Sequence, residues 1–149
     1  MWRTWRAMEA RLDRVVEQQL SADFNLSGAD YAVLVPLSEH PDGLRARDLA
    51  VGARWDRSRL SHQLRRMQAR GLVARSDCPT DARGTIFALT DAGRTAIETA
   101  APSHVETVRK YFVDLLTPDE LATLTSIADK VLKRLERDPA AEPECPASA

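Results

Sequence analysis

Cysteine is scarce in this chain: Cys78 and Cys145 are the only two among 149 residues, and they lie in very different settings. They make no disulfide framework, which excludes the small disulfide-stapled secreted class and fits a reducing cytoplasm. No uncharged apolar run approaches the ~18 residues that span a bilayer, so no membrane helix is expected. The opening MWRTWRAMEAR lacks the apolar segment and small-residue cleavage site of a secretory signal. Histidine is also sparse. His40, His62 and His104 are far apart, and none has metal-ligand spacing with cysteine or carboxylate, so neither metal nor other cofactor is expected. Gly-rich phosphate loops, Gly-x-Ser-x-Gly and Cys–His pairs are missing as well, which leaves an enzyme the least supported class.

Lysine is missing from one region only, and that region is the informative one. Residues 45–94 hold eleven Arg, no Lys, five Asp and no Glu, a balance of +6. The remainder holds ten basic and seventeen acidic residues, or −7, so the overall −1 conceals a basic middle between acidic ends. Such asymmetry is expected of a module that meets a polyanion. Arginine used alone strengthens the point, because its planar fork grips phosphate or guanine with two bonds where lysine offers a point charge.

The centre of that module is Trp55–Val73, WDRSRLSHQLRRMQARGLV. Leu60, Leu64 and Met67 recur on one helical face. Ser58, His62 and Arg65 fall opposite, with Arg59, Ser61 and Arg66 on the flanks. Asp56 suits the N-cap and Gly71 the stop. Residues 54–70 carry six arginines, Arg54, Arg57 and Arg70 included, against the single Asp56. Arginines can contact guanine and phosphate, while Ser58, Ser61 and His62 can tune base choice.

The flanking segments fit this centre. Residues 2–20 read as an amphipathic helix carrying Trp5, Met8, Leu12, Val15, Val16 and Leu20. Ser27 and Asp30 form a capping-box pattern before a helix from Asp30 to about Glu39. Leu44 reads as a short extended link, residues 45–52 as a short helix, and residues 52–55 as a tight turn into the basic helix: a helix-turn-helix. Residues 72–76 and 85–89 alternate as strands around a polar turn at 77–84, making a wing, whose Arg83 suits a minor groove. Thr90 suits the cap of a long helix to about Leu116, which Pro102 could kink or divide. Thr117-Pro118-Asp119-Glu120 opens a last helix to Arg137 with a wide apolar stripe. Residues 138–149, with three prolines and no periodicity, read as a disordered tail. The expected architecture is therefore mostly α with a small β wing: an N-terminal helix (1–30), a winged helix-turn-helix (31–93) and C-terminal helices (94–137). Both ends carry more apolar face than one small domain covers, so they are expected to form the dimerisation region of a two-fold homodimer.

Leu44 and RDLA (47–50), then SRLSHQLRRMQARGLVAR (58–75), then Asp81-Ala-Arg83 and Leu89-Thr-Asp-Ala-Gly93 make the chain resemble the MarR family of bacterial transcriptional regulators over about residues 5–137. The resemblance implies a winged-helix homodimer on a palindromic operator. It places the helix matching residues 57–70 in the major groove, Arg83 at the minor groove and Asp81 steadying that arginine. It also implies repression relieved by a small aromatic or phenolic effector at the junction of the two parts, for which Trp5, Met8, Tyr31 and Trp55 are the candidates. Other members sense oxidants through a cysteine in the first helix, where this chain has none. Two alternatives stay open: a winged-helix adaptor that binds protein rather than DNA, and a redox sensor acting through Cys78.

Overall fold

The computed structural model describes residues 1–53, 55–78 and 81–137, with backbone alone at 78 and 81–84. The expectations for Arg54, for the side chains of Cys78, Asp81 and Arg83, and for the 138–149 tail lie outside the described residues. The order is α1 (Trp2–Phe24), α2 (Gly28–Glu39), β1 (Leu44–Arg45), α3 (Ala46–Ala53), α4 (Arg57–Ala69), β2 (Val73–Cys78), β3 (Asp81–Leu89), α5 (Asp91–Tyr111), a 3-10 turn (Val113–Leu115) and α6 (Pro118–Leu135). This is a mostly helical chain with one small antiparallel sheet in the order β1-β3-β2.

Side-chain chemistry sets the helix boundaries. Ser27 caps α2 by accepting from the Asp30 N–H, and the Asp30 carboxylate reaches back to the Ser27 N–H. Thr117 and Glu120 repeat the device at α6, with Pro118 in the first turn, where its missing N–H costs nothing. Helix α1 runs four residues past the expected end. It stops where Asn25 turns left-handed at φ 53 and Leu26 N–H bonds back to Leu20 O, a conformation asparagine tolerates.

Helix α2 begins two residues before Asp30. Gly52 and Ala53 belong to α3 rather than to a turn. Leu44 is a strand rather than a link, because Leu44 and Arg45 pair with Phe87 and Ile86. The wing ladder extends past Ser76 to Cys78, which faces Asp81 after an irregularity at Asp77/Cys78, so the connection is shorter than the expected 77–84 turn. Helix α5 passes through Pro102 without division and ends at Tyr111 rather than near Leu116.

One core joins the elements. Leu20 from α1, Val33, Leu34 and Leu37 from α2, Leu49 from α3, Leu60, Leu64 and Met67 from α4, Phe87 from β3, and Ile97 and Ala100 from α5 are all buried together. Each large side chain so buried contributes about 1.5–3 kcal/mol. The joint between wing and α5 is tight. Thr90 N–H donates to Leu72 O, the Thr90 hydroxyl donates to Gly71 O at 2.5 Å, and the same hydroxyl accepts from Gly93 N–H. A Cβ on Gly93 would stand 1.9 Å from Leu72 O, so only glycine fits there. The Leu-Thr-x-x-Gly pattern is thus a packing joint.

Candidate nucleic-acid interface

Helix α4 starts where Asp56 accepts from the Arg59 N–H at 2.8 Å and ends before Gly71, which takes φ +70. Leu60, Leu64 and Met67 are buried, as their spacing predicts. Arg57, Ser58, Arg59, Ser61, His62, Arg65 and Arg66 are all exposed. The outward surface therefore offers guanidiniums, hydroxyls and an imidazole, groups that donate to phosphate oxygens and base edges. Arg65 lies along its own helix, with Nε 3.4 Å from Ser61 O and Nη2 3.4 Å from His62 Nδ1. Arg59 leans to one side, its guanidinium carbon 4.4 Å from the Trp55 ring centroid. In the wing, Arg75 donates to the Thr85 hydroxyl across the strands.

Three residues of this region make contacts that the sequence did not announce. Gln63, on the inward side of α4, is only 5% exposed and donates to Asp30 Oδ1 at 2.6 Å. Arg70, at the end of α4, donates to Asp30 Oδ2 at 2.7 Å and to Asn25 O. Asp30 itself is 1% exposed. Its burial would raise the carboxyl pKa. The Ser27 N–H, Arg70 and the Ser27 hydroxyl outweigh that and hold it below the ordinary aspartate range. One signal was legible: Gln63 stands three residues after Leu60, at the edge of the apolar stripe. The Arg70–Asp30 partnership spans forty positions and has no local signature.

A cavity of about 470 Å³ lies beside this region, walled by α1, α2, α4 and α5 and lined by residues that include Asp13, Glu17, Gly28, Tyr31, Arg59 and His104. Of the four residues expected around an effector, Tyr31 lines it; Trp5, Met8 and Trp55 do not. Trp5 and Met8, on the first turns of α1, are 41% and 37% exposed, and Trp55 lies under Arg59. The Tyr31 and His104 rings stand 4.2 Å apart. Burial lowers the His104 pKa and raises that of Tyr31, favouring both neutral forms. Glu17 accepts from the Gly28 N–H at 2.7 Å, tying α1 to the start of α2. Among the described residues no group of three or more His, Cys, Asp or Glu could hold a metal ion, and no helix is long and apolar enough to cross a membrane.

A MarR family model matches residues 24–84, the span from the end of α1 into the wing. The fold matches AbsC, a MarR family transcriptional regulator from Streptomyces coelicolor, with 38% identity over 92% of this chain and 93% of that one and a TM-score of 0.88. The chain belongs to the MarR family of transcriptional regulators. A second MarR regulator from Streptomyces coelicolor, Sco3205 in complex with DNA, matches with 36% identity over 95% of this chain and 88% of that one, TM-score 0.89. MarR from E. coli with operator DNA matches with 27% identity over 87% and 91%, TM-score 0.76. The search of curated protein sequences returned no match. The MarR winged-helix fold and its association with DNA-binding regulation thus agree with the resemblance carried by residues 44–93.

Proposed function

We propose that this MarR regulator binds a palindromic DNA operator as a homodimer and acts as a ligand-responsive repressor, not as an enzyme. The observation that carries the reading is the outward face of α4, where four arginines, two serines and a histidine are exposed together. The relatives solved with DNA support it.

In this mechanism each α4 enters one major groove, and the two grooves lie about 34–36 Å apart on the same side of the duplex. Arg57, Arg59, Arg65 and Arg66 divide between phosphates and bases, and Ser58, Ser61 and His62 adjust base choice. Arg54, three residues before Arg57 in the sequence, adds charge to the basic stretch. Arg83, steadied by Asp81, enters the minor groove, where a guanidinium is drawn by the negative potential. Residues 31–93 are the DNA-binding unit, and α1 with the helices after residue 94 form the dimer. The unburied apolar stripe of α6 and the exposed Trp2, Trp5, Met8 and Leu115 support that assignment.

A small aromatic or phenolic effector would occupy the cavity beside Tyr31, with Trp5, Met8 and Trp55 of a rearranged dimer as further candidates. It acts only if its affinity differs between the DNA-competent and DNA-incompetent spacings of the two α4 helices.

The test is fluorescence anisotropy of the purified protein on its own upstream duplex and on a scrambled one, across a salt series. Specific binding with a steep salt slope is expected, and Arg66→Ala should lower that slope by about one per contacted phosphate. Absence of binding at low salt would favour the protein-binding adaptor instead.

A further inference from the structure

We propose that Asp30 is a positioning residue for DNA recognition: through Gln63 and Arg70 it fixes how α4 is presented to the groove. The inference rests on the reading of α4 as the DNA-contacting helix and adds to it what holds that helix in register.

Apolar burial is non-directional. The stripe of Leu60, Leu64 and Met67 brings α4 against the core but resists small rotations weakly. Hydrogen bonds and ion pairs fix direction as well as distance. Gln63 and Arg70 are seven residues apart, about 10 Å along the helix axis. Both end on one carboxylate, Gln63 on Oδ1 and Arg70 on Oδ2. Two anchors at that separation set both rotation and pitch, where one would leave a pivot.

The anchor point itself is held from both sides. The Ser27 N–H and hydroxyl donate to Asp30 Oδ2 at 2.8 and 2.9 Å, and Arg70 also reaches Asn25 O just past the end of α1. The clamp therefore ties the α1–α2 joint to the middle and the end of α4. Rotating α4 by about 10° would move a side-chain tip about 6 Å from the axis by roughly 1 Å. That exceeds the window of a good hydrogen bond to a base edge.

Removing one partner of a buried charge costs stability, because the other is left uncompensated. That loss is read by thermal unfolding, whereas a change in how α4 is presented is read by the preference between two duplexes at a temperature where the variant is folded. Positioning and stability can therefore be separated by experiment. Gln63→Met keeps length and packing and removes the donor; Arg70→Met removes the second anchor at a site near the surface.

Each variant is compared with the wild type by anisotropy on the upstream and scrambled duplexes, alongside thermal unfolding. The expected result is a tenfold or larger fall in the preference for the upstream duplex, with binding to the scrambled duplex unchanged. A merely structural role would lower both affinities together. Wild-type preference retained by both folded variants would overturn the proposal. Pulsed electron paramagnetic resonance without DNA supplies an independent readout, with spin labels at Ala22→Cys and Ser61→Cys in a Cys78→Ser, Cys145→Ser background diluted with unlabelled chain. The clamp predicts a narrow α1–α4 distance distribution that Gln63→Met broadens or shifts, and an unchanged distribution would overturn it. If the wild type shows no preference between duplexes, the DNA reading fails, and the distance distribution alone decides whether Asp30 positions α4.

Discussion

Helices α4 and α6 are both amphipathic and both capped by a side chain at their first turn, yet they end in opposite situations. Every residue of the α4 stripe is buried within its own chain. The stripe of α6 is wider, and none of its residues is buried; Ile127, Val131 and Leu135 are 51%, 52% and 49% exposed. Periodicity shows that a face needs cover but not what covers it. For α4 the cover is α2, α3 and the wing, and the helix is left with an exposed polar face. For α6 the cover proposed here is a second copy.

The sharpest way to break this contrast is Leu64→Ala. It should cost about 2–5 kcal/mol in denaturant unfolding, to a degree that does not depend on protein concentration. Ile127→Ala with Val131→Ala should instead weaken association by about 1–3 kcal/mol. That is read as a shift towards monomer in analytical ultracentrifugation and as a thermal midpoint that falls on dilution.

Caps come next. Thr90→Ala should cost about 0.5–2 kcal/mol, because Thr90 both caps α5 and holds the wing joint at Gly71.

The smallest effect concerns pH. The Asp30 carboxyl is held low in the folded chain, so the unfolded chain takes up that proton first as pH falls. Its stabilisation is fully present above the ordinary aspartate value and is lost as pH drops through the depressed folded value. Asp30→Asn should flatten that part of the stability–pH curve, while substitutions on α6 should leave it unchanged.

Much of this architecture was legible because its signals are local. Asp56, Thr90 and Thr117 announce their helices within three residues. Leu60, Leu64 and Met67 announce a face within two turns, and Gly71 announces a stop. What escaped depends on distance in sequence. Leu44 becomes a strand only because Phe87 pairs with it. Asn25 ends α1 through a left-handed turn that no propensity marks strongly. The clamp joins Asp30 to residues thirty-three and forty positions away. Arg70 illustrates the consequence. Counted among the arginines of the basic stretch, it is committed inward to Asp30 and Asn25 and is no part of the outward face.

The central claim, that the exposed face of α4 reads base sequence, is tested most directly by selecting duplexes from a random pool with the wild-type protein. The account predicts an enriched palindrome whose half-site centres lie about 10–10.5 base pairs, or a multiple of that, apart. It also predicts that Ser61→Ala and His62→Ala relax positions within each half-site. A pool that emerges with no enriched sequence, although the folded protein binds it, would contradict the claim and leave α4 a helix that grips phosphates alone.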